Sequence, residues 1–230
     1  MEIQPIAKIY TDFTEKFGIP RQSGLVDSTI GKIVFEPKFR NPDAVRGLED
    51  FSHIWLLWDF SESHRVEWSP TVRPPRLGGN KRVGVFASRS PFRPNHIGLS
   101  SVKILKIQNE DKLGMVIYVA GADLLNETPI FDIKPYLPIS DCHPQAVGGF
   151  SDEHKNDNLK VKIDDSVIEI IPLDKRSALL DILSQDPRPS YQEDASRIYG
   201  MKYAGYEIKF SVENKVLNVL SIDKIILNKN

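Results

Sequence analysis

The sequence predicts a mainly β protein, with a barrel or a sandwich over the first 140 residues and a small α+β domain at the end. Short apolar runs recur through the first 140 residues with hardly a helical pattern between them. That arrangement argues against a doubly wound sheet. A single clear helical pattern follows later, between alternating segments. With 230 residues and 40% hydrophobic content, the chain can form a sizeable core.

The first domain, residues 1–140, contains the predicted strands, separated by proline, glycine and polar turns. Residues 51–60, FSHIWLLWDF, are almost continuously apolar, which predicts a strand covered on both faces. A helical turn is predicted at 42–48, where Pro42 suits a helix start. Two segments separated by a short polar turn predict a hairpin. The predicted strands are 3–10, 33–35, 51–60, 83–87, 97–107, 113–120 and 130–136.

A linker is predicted at residues 141–158, followed by the small α+β C-terminal domain at 159–230. Asp174 is expected to cap a helix that buries Leu179, Ile182 and Leu183 and ends before Pro187. Alternating segments at 159–163, 206–212 and 216–222 predict strands, the last two joined at Asn214. About seventy residues make a small core, so this domain is expected to lean on the first.

Charge and cysteine content restrict the class of protein. Thirty Lys plus Arg against 31 Asp plus Glu exclude a generally basic nucleic-acid coat protein. Cys142 is the only cysteine, so neither a disulfide framework nor a thiolate zinc site is expected within one chain. The first residues, MEIQPIAKIYTD, have neither a basic nor an apolar signal region. The expected location is the cytoplasm, without a membrane contact.

Basic residues are concentrated between residues 65 and 93. This stretch holds seven Lys or Arg against one acid, Glu67, although the net charge of the chain is only -1. Most are arginines, whose guanidinium groups bind phosphate and carboxylate in forked pairs. The loop at 60–83 is long, and long loops in compact domains are often functional. A solvated basic face is the alternative explanation for the same charges.

The predicted strand at 130–136 carries three polar side chains on one face, Asp132, Lys134 and Tyr136. An acid, a base and a phenol on one face could serve catalysis, although a cross-strand salt bridge explains them equally well. Motifs for common chemistry are absent: the sequence has no GxGxxG and no HExxH, and its histidines have no metal-ligand spacing. From these patterns alone, the chain is a β-rich intracellular protein with an arginine-lined site for anions.

Three motifs in order make the sequence recognisable: VRGLEDFSHIW, RPPRLGGNKRVGVFASRSPFRPNHIGLS and NETPIFDIKPYLP. Together with DPRPSY at 186–191 they closely resemble the TrmO family, the YaeB or TsaA-like tRNA (adenine(37)-N6)-methyltransferases. The resemblance covers nearly the whole chain. It implies a β-barrel that binds S-adenosylmethionine, consistent with the missing GxGxxG. It also implies a homodimer that methylates the exocyclic nitrogen of N6-threonylcarbamoyladenosine beside the anticodon of threonine tRNA.

The resemblance also implies which segments contact the cofactor. A carboxylate of the cofactor would suit Arg89, and its cationic sulfonium would suit Glu62. The chain departs from the family pattern at His96, where a small residue or proline is expected, and at Asn126 and Glu127, which replace Asp and Gly. The residues implied in cofactor binding are Arg21, Gln22, Ser23, Glu62, Ser63, Arg89, Leu99, Asn126, Glu127, Thr128 and Pro129.

For the reaction, we expect Asp132 to act as the base, with Lys134 and Tyr136 orienting it or the substrate. Alternatively, the threonyl carboxylate of the substrate assists, held by an arginine such as Arg73 or Arg76. Residues expected to bind the tRNA are Arg73, Arg76, Lys81, Arg82 and Arg93. Two other classes compete with this interpretation, a non-catalytic anion- or RNA-binding module on the same barrel and a metal-dependent hydrolase.

Overall fold

Six antiparallel strands close into a barrel in the computed structural model of the chain, which describes residues 2–74, 81–154, 158–188, 194 and 196–226. The first eight strands are β1 (Ala7–Tyr10), β2 (Ile30–Phe35), β3 (His53–Asp59), β4 (Thr71–Val72), β5 (Val83–Gly84), β6 (Ile97–Glu110), β7 (Gly114–Ala120) and β8 (Thr128–Pro135). The barrel has the order β1-β2-β7-β6-β3-β8, and β8 pairs with β1 to close it. Strands β4 and β5 pair only with each other. Of the two folds left open by the patterns, the barrel is therefore the one adopted.

Strand β3 shows how the barrel divides its side chains. Ile54, Leu56 and Trp58 point into the barrel core, whereas Trp55 and Leu57 lie half-buried on its outer surface. The expectation that both faces of this strand are covered is therefore wrong for the outer face. Apolar residues remain partly exposed there, on the surface where the candidate site lies.

The other strands expected in the first 140 residues are present, although the one expected at 3–10 begins only at Ala7, and two further corrections apply. The hairpin of β6 and β7 is confirmed, with Lys112 and Gly114 at positive φ in its turn. The strand expected at 83–87 stops at Gly84 and continues as a 3-10 turn, in which the Ser88 hydroxyl donates to the Val85 carbonyl. In β8 the pairing register shifts beside Phe131, so the core receives Ile130 and Ile133 instead of Phe131 and Ile133.

The C-terminal part forms a second sheet with one longer helix. Its elements are α1 (Pro138–Asp141), β9 (Lys160–Lys162), α2 (Asp165–Ile168), α3 (Leu173–Ser184), β10 (Tyr199–Tyr203), β11 (Tyr206–Glu213) and β12 (Val216–Lys224). The sheet order is β10-β11-β12-β9, with β9 parallel to β12. Helix α3 buries Leu179, Ile182 and Leu183 as expected, but Pro172 occupies the cap position and Asp174 lies in the first turn.

Short 3-10 turns connect several strands, and the turn expected at 42–48 is one of them. They lie at Pro37–Phe39, Pro42–Val45, Leu48–Asp50, Ser61–Ser63, Val85–Ala87 and Gly149–His154. Within the residues that the structure describes, no helix has both the length and the apolar character required to cross a membrane.

The second core includes residues from the loop between β1 and β2. Phe13 and Val26 are only 2% exposed, and they pack with α3 and with strands β10 to β12. Phe17 stacks on Phe210 with ring centroids 6.4 Å apart, and Lys175 of α3 forms an ion pair with Asp12. The expected contact of the C-terminal domain with the first domain is therefore made by one loop, residues 11–28. We call this segment the brace loop.

Candidate cofactor and substrate site

The outer surface of β8, β3 and β6 brings two groups of predicted site residues together. Leu57 of β3 pairs with Asp132 on one side and with Leu99 on the other. Neighbouring strands lie about 4.8 Å apart, so the Asp132 and Leu99 backbones are about 10 Å apart across the barrel surface. Leu99 is 49% exposed. A candidate base and a candidate cofactor contact thus share one open face.

The brace loop lies along β6 next to Leu99. Strand β7 pairs with β6 only from Lys103 onward, so the earlier part of β6 is not covered by β7. Ser23 fills this place, because its hydroxyl accepts a hydrogen bond from the Ser101 backbone N–H at 3.1 Å. The Gly24 N–H donates to the Gly121 carbonyl at 3.0 Å. These bonds fix the predicted cofactor segment at one edge of the open face.

Arg89 and Gln22, both predicted to contact the cofactor, touch each other. An Arg89 guanidinium N–H donates to the Gln22 side-chain oxygen, and the Gln22 amide in turn donates to the Arg21 carbonyl. Arg89 itself is exposed. A cation held in place by a neutral amide keeps its charge available for an anionic group.

Asp123 lies behind these residues and was not among those expected from the sequence. Its carboxylate accepts a hydrogen bond from the Ser100 hydroxyl at 2.6 Å, and Ser100 accepts one from the Trp58 indole at 3.0 Å. Burial raises the pKa of Asp123 above its usual range, against hydrogen bonds from Ser100, from its own N–H and from the Ser23 N–H, and against the charge of Arg89. Asp123 therefore lies behind the Ser23 segment and near Arg89, tied to β6 through Ser100.

Glu62 and Ser63 lie in a 3-10 turn after β3 and are also tied to the brace loop. The Lys16 ammonium donates to the Glu62 carbonyl and, at 3.1 Å, to the Ser63 hydroxyl. Glu62 is exposed. Lys16 thus brings a second predicted cofactor segment to the same loop as Gln22 and Ser23.

The segment Asn126 to Pro129 meets the start of the brace loop at the end of β1. The Asn126 side-chain oxygen accepts from the Thr11 N–H at 3.1 Å, and the Asn126 N–H donates to the Phe13 carbonyl. Thr128 is buried, and its hydroxyl donates to the Leu125 carbonyl at 2.7 Å. Pro129 pairs with Lys8 of β1. Thr128 and the Asn126 oxygen thus hold the loop.

Glu127 has φ of 64°, a left-handed backbone that glycine adopts more easily than other residues. This geometry explains why glycine suits the position where the chain carries Glu127.

Arg21 faces the C-terminal domain. Its guanidinium donates to the Asp186 and Arg188 carbonyls, both at 3.0 Å. Arg188 also forms a two-point pair with the Asp186 carboxylate. The DPRPSY motif starts here, while its last three residues, 189–191, lie outside the described part. Arg21 therefore links the brace loop to this motif.

The three residues predicted for catalysis are only partly brought together. Lys134 forms an ion pair with Asp132 at 2.9 Å, so the cross-strand alternative is replaced by a pair within one strand. Asp132 also accepts from the Ile133 N–H. Tyr136 lies four residues along from Asp132, about 13 Å away along the strand, and packs on Trp55. Burial raises the pKa of Tyr136, and its surroundings are those of α1 rather than of Asp132.

The basic residues predicted for tRNA lie on the exposed loops around β4 and β5. Arg73, Lys81 and Arg82 are exposed, and Arg82 donates to the Thr71 hydroxyl at 3.0 Å. Arg93 is half-buried and donates to two backbone carbonyls of the 3-10 turn, those of Val85 and Ser88. Arg76 lies outside the described residues.

The donor set of this face fits S-adenosylmethionine. Arg89 provides a cation for its carboxylate, while the exposed Glu62 provides negative charge for its ammonium or sulfonium group. Leu99 and Leu57 provide exposed and half-exposed apolar surface for a flat ring. Among the described residues, no group of three His, Cys, Asp or Glu side chains is placed to hold a metal ion.

Two residues of this face, Asp123 and Lys16, were missed in the sequence. Lys16 sits in an ordinary polar loop, and its contact with Ser63 spans 47 residues, so no local pattern reveals it. Asp123 does leave a signal, because it is a single acid inside the apolar run GADLL. An acid at such a place requires a partner, and the Ser100 hydroxyl provides one here.

Comparisons with known proteins identify the family of the chain. The chain matches the tRNA-methyltransferase O N-terminal domain over residues 8–142 and the TrmO C-terminal domain over residues 158–225. It is 36% identical to the tRNA (adenine(37)-N6)-methyltransferase of Escherichia coli K12 over 230 residues, which is 96% of this chain and 97% of that protein. A Pseudomonas aeruginosa relative, 36% identical over 87% of each chain, is provisionally named an S-adenosylmethionine-dependent methyltransferase.

A solved structure gives the same result for the fold. The crystal structure of TrmO from Pseudomonas aeruginosa superposes with a TM-score of 0.78 at 29% sequence identity and covers 97% of both chains. The resemblance drawn from the motifs is thereby confirmed over both domains, and the chain belongs to the TrmO family of tRNA (adenine(37)-N6)-methyltransferases.

Proposed function

We propose that this chain transfers a methyl group from S-adenosylmethionine to N6 of N6-threonylcarbamoyladenosine at position 37 of threonine tRNA. Family membership supports the reaction class. The observation that carries the site is the shared face, on which Ser23, Arg89 and Leu99 surround one edge while Asp132 lies one strand further on.

S-adenosylmethionine, when bound, supplies the methyl group from its sulfonium. The residues of this chain must hold the target nitrogen in line with that group and keep water away, because such positioning supplies most of the acceleration in a displacement of this kind. Arg89, held by Gln22, binds a carboxylate at the edge of the face. Lys16 and Asp123 keep the two loops around it in place.

Asp132 receives the proton. The target N6 carries one hydrogen, and forming the new N–C bond leaves a proton that must be removed. The Asp132 carboxylate accepts from Lys134 and from the Ile133 N–H, and its oxygens retain further lone pairs for this proton. Lys134 orients the carboxylate through their ion pair. Tyr136, two side-chain positions further along the same face, is better placed to support the strand than to touch the reacting nitrogen.

The basic loop provides the contacts to tRNA. Lys81 and Arg82 are exposed and bind phosphates, whereas Arg93 contributes mainly by holding its loop. Arg73 is available for the threonyl carboxylate of the substrate, and Arg76 follows in the same stretch of sequence. The proposal includes a homodimer, which light scattering can measure, and the cytoplasm as the compartment.

The test is transfer of labelled methyl from S-adenosylmethionine to threonine tRNA prepared with and without the threonylcarbamoyl group. The proposal expects label only in the modified tRNA, and digestion with mass spectrometry places it on N6. Label in both tRNAs would retain the methyltransferase and remove the threonylcarbamoyl requirement. Binding of tRNA without any transfer would favour the non-catalytic RNA-binding module.

A further inference from the structure

A cluster of aromatic rings and arginines, two of the rings exposed, lies on the loops around β4 and β5. Phe86 is 73% exposed and Trp68 is 53% exposed, and their rings are stacked with centroids 6.3 Å apart. For comparison, Trp58 in the barrel is 8% exposed. Exposing two large rings to water side by side costs free energy, and exposed apolar surfaces of this kind usually bind a partner or a ligand.

Arginines accompany these rings. The Arg65 guanidinium carbon lies 3.6 Å from the centroid of Phe92, and that of Arg93 lies 5.8 Å from the centroid of Phe86. Arg93 is fixed in this place by its bonds to the Val85 and Ser88 carbonyls. We call Arg65, Trp68, Phe86, Phe92 and Arg93 the aromatic surface.

The composition of this surface identifies the chemistry of its partner. Single-stranded nucleic acid presents flat bases, which stack on aromatic rings and on guanidinium planes, and phosphates, which pair with cations. Residues 65 to 93 carry seven Lys or Arg against one acid, so an apolar protein partner would leave several cations without compensation. Unpaired RNA satisfies both the rings and the charges.

The aromatic surface lies close to the candidate site. Phe86 and Arg89 are three residues apart in the sequence, so their Cα atoms are at most about 10 Å apart. The turn that carries Phe86 is anchored by Val85, which is 1% exposed and whose N–H donates to the Pro70 carbonyl at 2.9 Å. A base stacked on Phe86 would therefore lie within reach of neighbours of the base that is methylated.

We propose that the aromatic surface stacks unpaired bases of the anticodon loop that flank the target adenosine, with Trp68 and Phe86 as the stacking rings. This inference rests on the proposed function for the identity of the RNA. It adds a contact to bases, which differs from the phosphate contacts of Lys81 and Arg82.

Tryptophan fluorescence provides the test, with the cofactor-free protein and two unmethylated RNA probes. One probe is the anticodon stem-loop of threonine tRNA, and the other is a fully paired duplex of the same length. Stacking of a base on Trp68 quenches its emission, so the hairpin should quench the wild type more strongly than the duplex does. The Trp68→Phe variant should lose this quenching, since only Trp55 and Trp58 remain.

Affinity measurements separate stacking from charge. Trp68→Ala and Phe86→Ala should each weaken hairpin binding about tenfold without changing its salt dependence, because stacking releases no counterions. Arg82→Ala should weaken binding and also reduce the salt slope by about one. Ile139→Ala, which removes a side chain that is 97% exposed after β8, is the matched control and should leave hairpin binding unchanged.

Several results would overturn the inference. They are equal quenching by hairpin and duplex, unchanged hairpin affinity in both alanine variants, or a shift in molar mass by light scattering in those variants. The last result would assign the surface to a second copy of the chain. None of these measurements uses methyl transfer. An inactive enzyme with Trp68-dependent hairpin binding would therefore contradict the proposed reaction, whereas an active enzyme without that binding would contradict this inference alone.

Discussion

At the scale of single residues, the charge proposed to act on the reaction differs in its surroundings from a charge that is bonded within the fold. Asp132 is exposed at its side chain by 44%, faces the open surface and has only Lys134 as an ionic partner in the described part of the chain. Asp123 accepts a hydrogen bond from Ser100 and cannot turn outward without losing it. The two carboxylates therefore have different roles, although both are single acids in apolar strands or loops.

Asp132→Asn tests the proposed base. The amide keeps the shape of the side chain but cannot accept the proton, so kcat should fall by about 10²-fold or more. The affinity for S-adenosylmethionine should stay the same, because Asp132 lies across β3 from Leu99 and from the Ser23 segment next to it. Steady-state rates and calorimetric binding check both parts, with Asp111→Asn in the β6–β7 turn as the control. Wild-type turnover in Asp132→Asn would remove this residue from the chemistry.

At the scale of elements, the β6–β7 hairpin carries its own charge network on the outer barrel wall. Glu110 accepts hydrogen bonds from Lys32, Tyr118 and Gln108, and these lower the pKa of Glu110 from 4.5 to about 2, with Lys32 as the largest cause. A lowered pKa in the folded state means that the ionised carboxylate stabilises the fold. This stabilisation is complete above pH 4.5 and is lost as the pH falls toward about 2.

Glu110→Gln should therefore lower the free energy of unfolding at neutral pH. The difference between wild type and variant should shrink steadily below pH 4.5, because the wild type then loses the same charge. Urea unfolding at a series of pH values measures it, and Glu49→Gln on an exposed turn is the control. A difference that is constant with pH would show that the carboxylate charge is not what stabilises the hairpin.

The elements also show which parts of the fold are readable in the sequence. The alternation in β11 and β12 and the apolar stripe of α3 predict those elements because each repeats over many residues. Strand β10 has the same alternation in Tyr199, Met201 and Tyr203, but it follows a polar stretch and was not expected. The brace loop has no period at all, since its order comes from contacts with the other domain.

The candidate site also has residues that the sequence indicates and residues that it does not. Family motifs indicate Gln22, Ser23 and Arg89 as members of one site, and the structure places them in contact with one another or with β6. No motif indicates that Arg21 turns away toward Asp186, or that Asp123 lies behind the Ser23 segment. Both depend on tertiary contacts between segments about a hundred residues or more apart, which local patterns do not contain.

At the scale of the whole molecule, the brace loop couples the two domains to the cofactor site. It contributes Phe13 and Val26 to the second core, and it contributes Gln22 and Ser23 to the open face. Gly18 lies between Phe13 and Gln22 in this loop. It has a φ of 92° and lies against the buried side chain of Met201. The C-terminal domain therefore holds in place the loop that carries two of the residues proposed to bind the cofactor.

Gly18→Ala tests this coupling. An added Cβ would overlap Met201 Sδ, and Met201 is 1% exposed and cannot move aside freely. Gly47 has a similar φ of 83° but open space around it, so Gly47→Ala is the matched control with only the backbone cost of about 1–2 kcal/mol. Calorimetry should show weaker S-adenosylmethionine binding in Gly18→Ala only. Equal affinity in both variants would contradict the coupling.

The proposed cofactor site is tested most directly by calorimetry of S-adenosylmethionine binding without tRNA. The proteins to compare are the wild type, Arg89→Ala and Arg46→Ala. Arg46 is an exposed arginine paired with Asp43, so its loss controls for a change of net charge. We expect Arg89→Ala to lose tenfold or more in affinity, as for the loss of a charge-assisted pair, while Arg46→Ala binds like the wild type. Wild-type affinity in Arg89→Ala would contradict the placement of the cofactor on the face between the brace loop and β6.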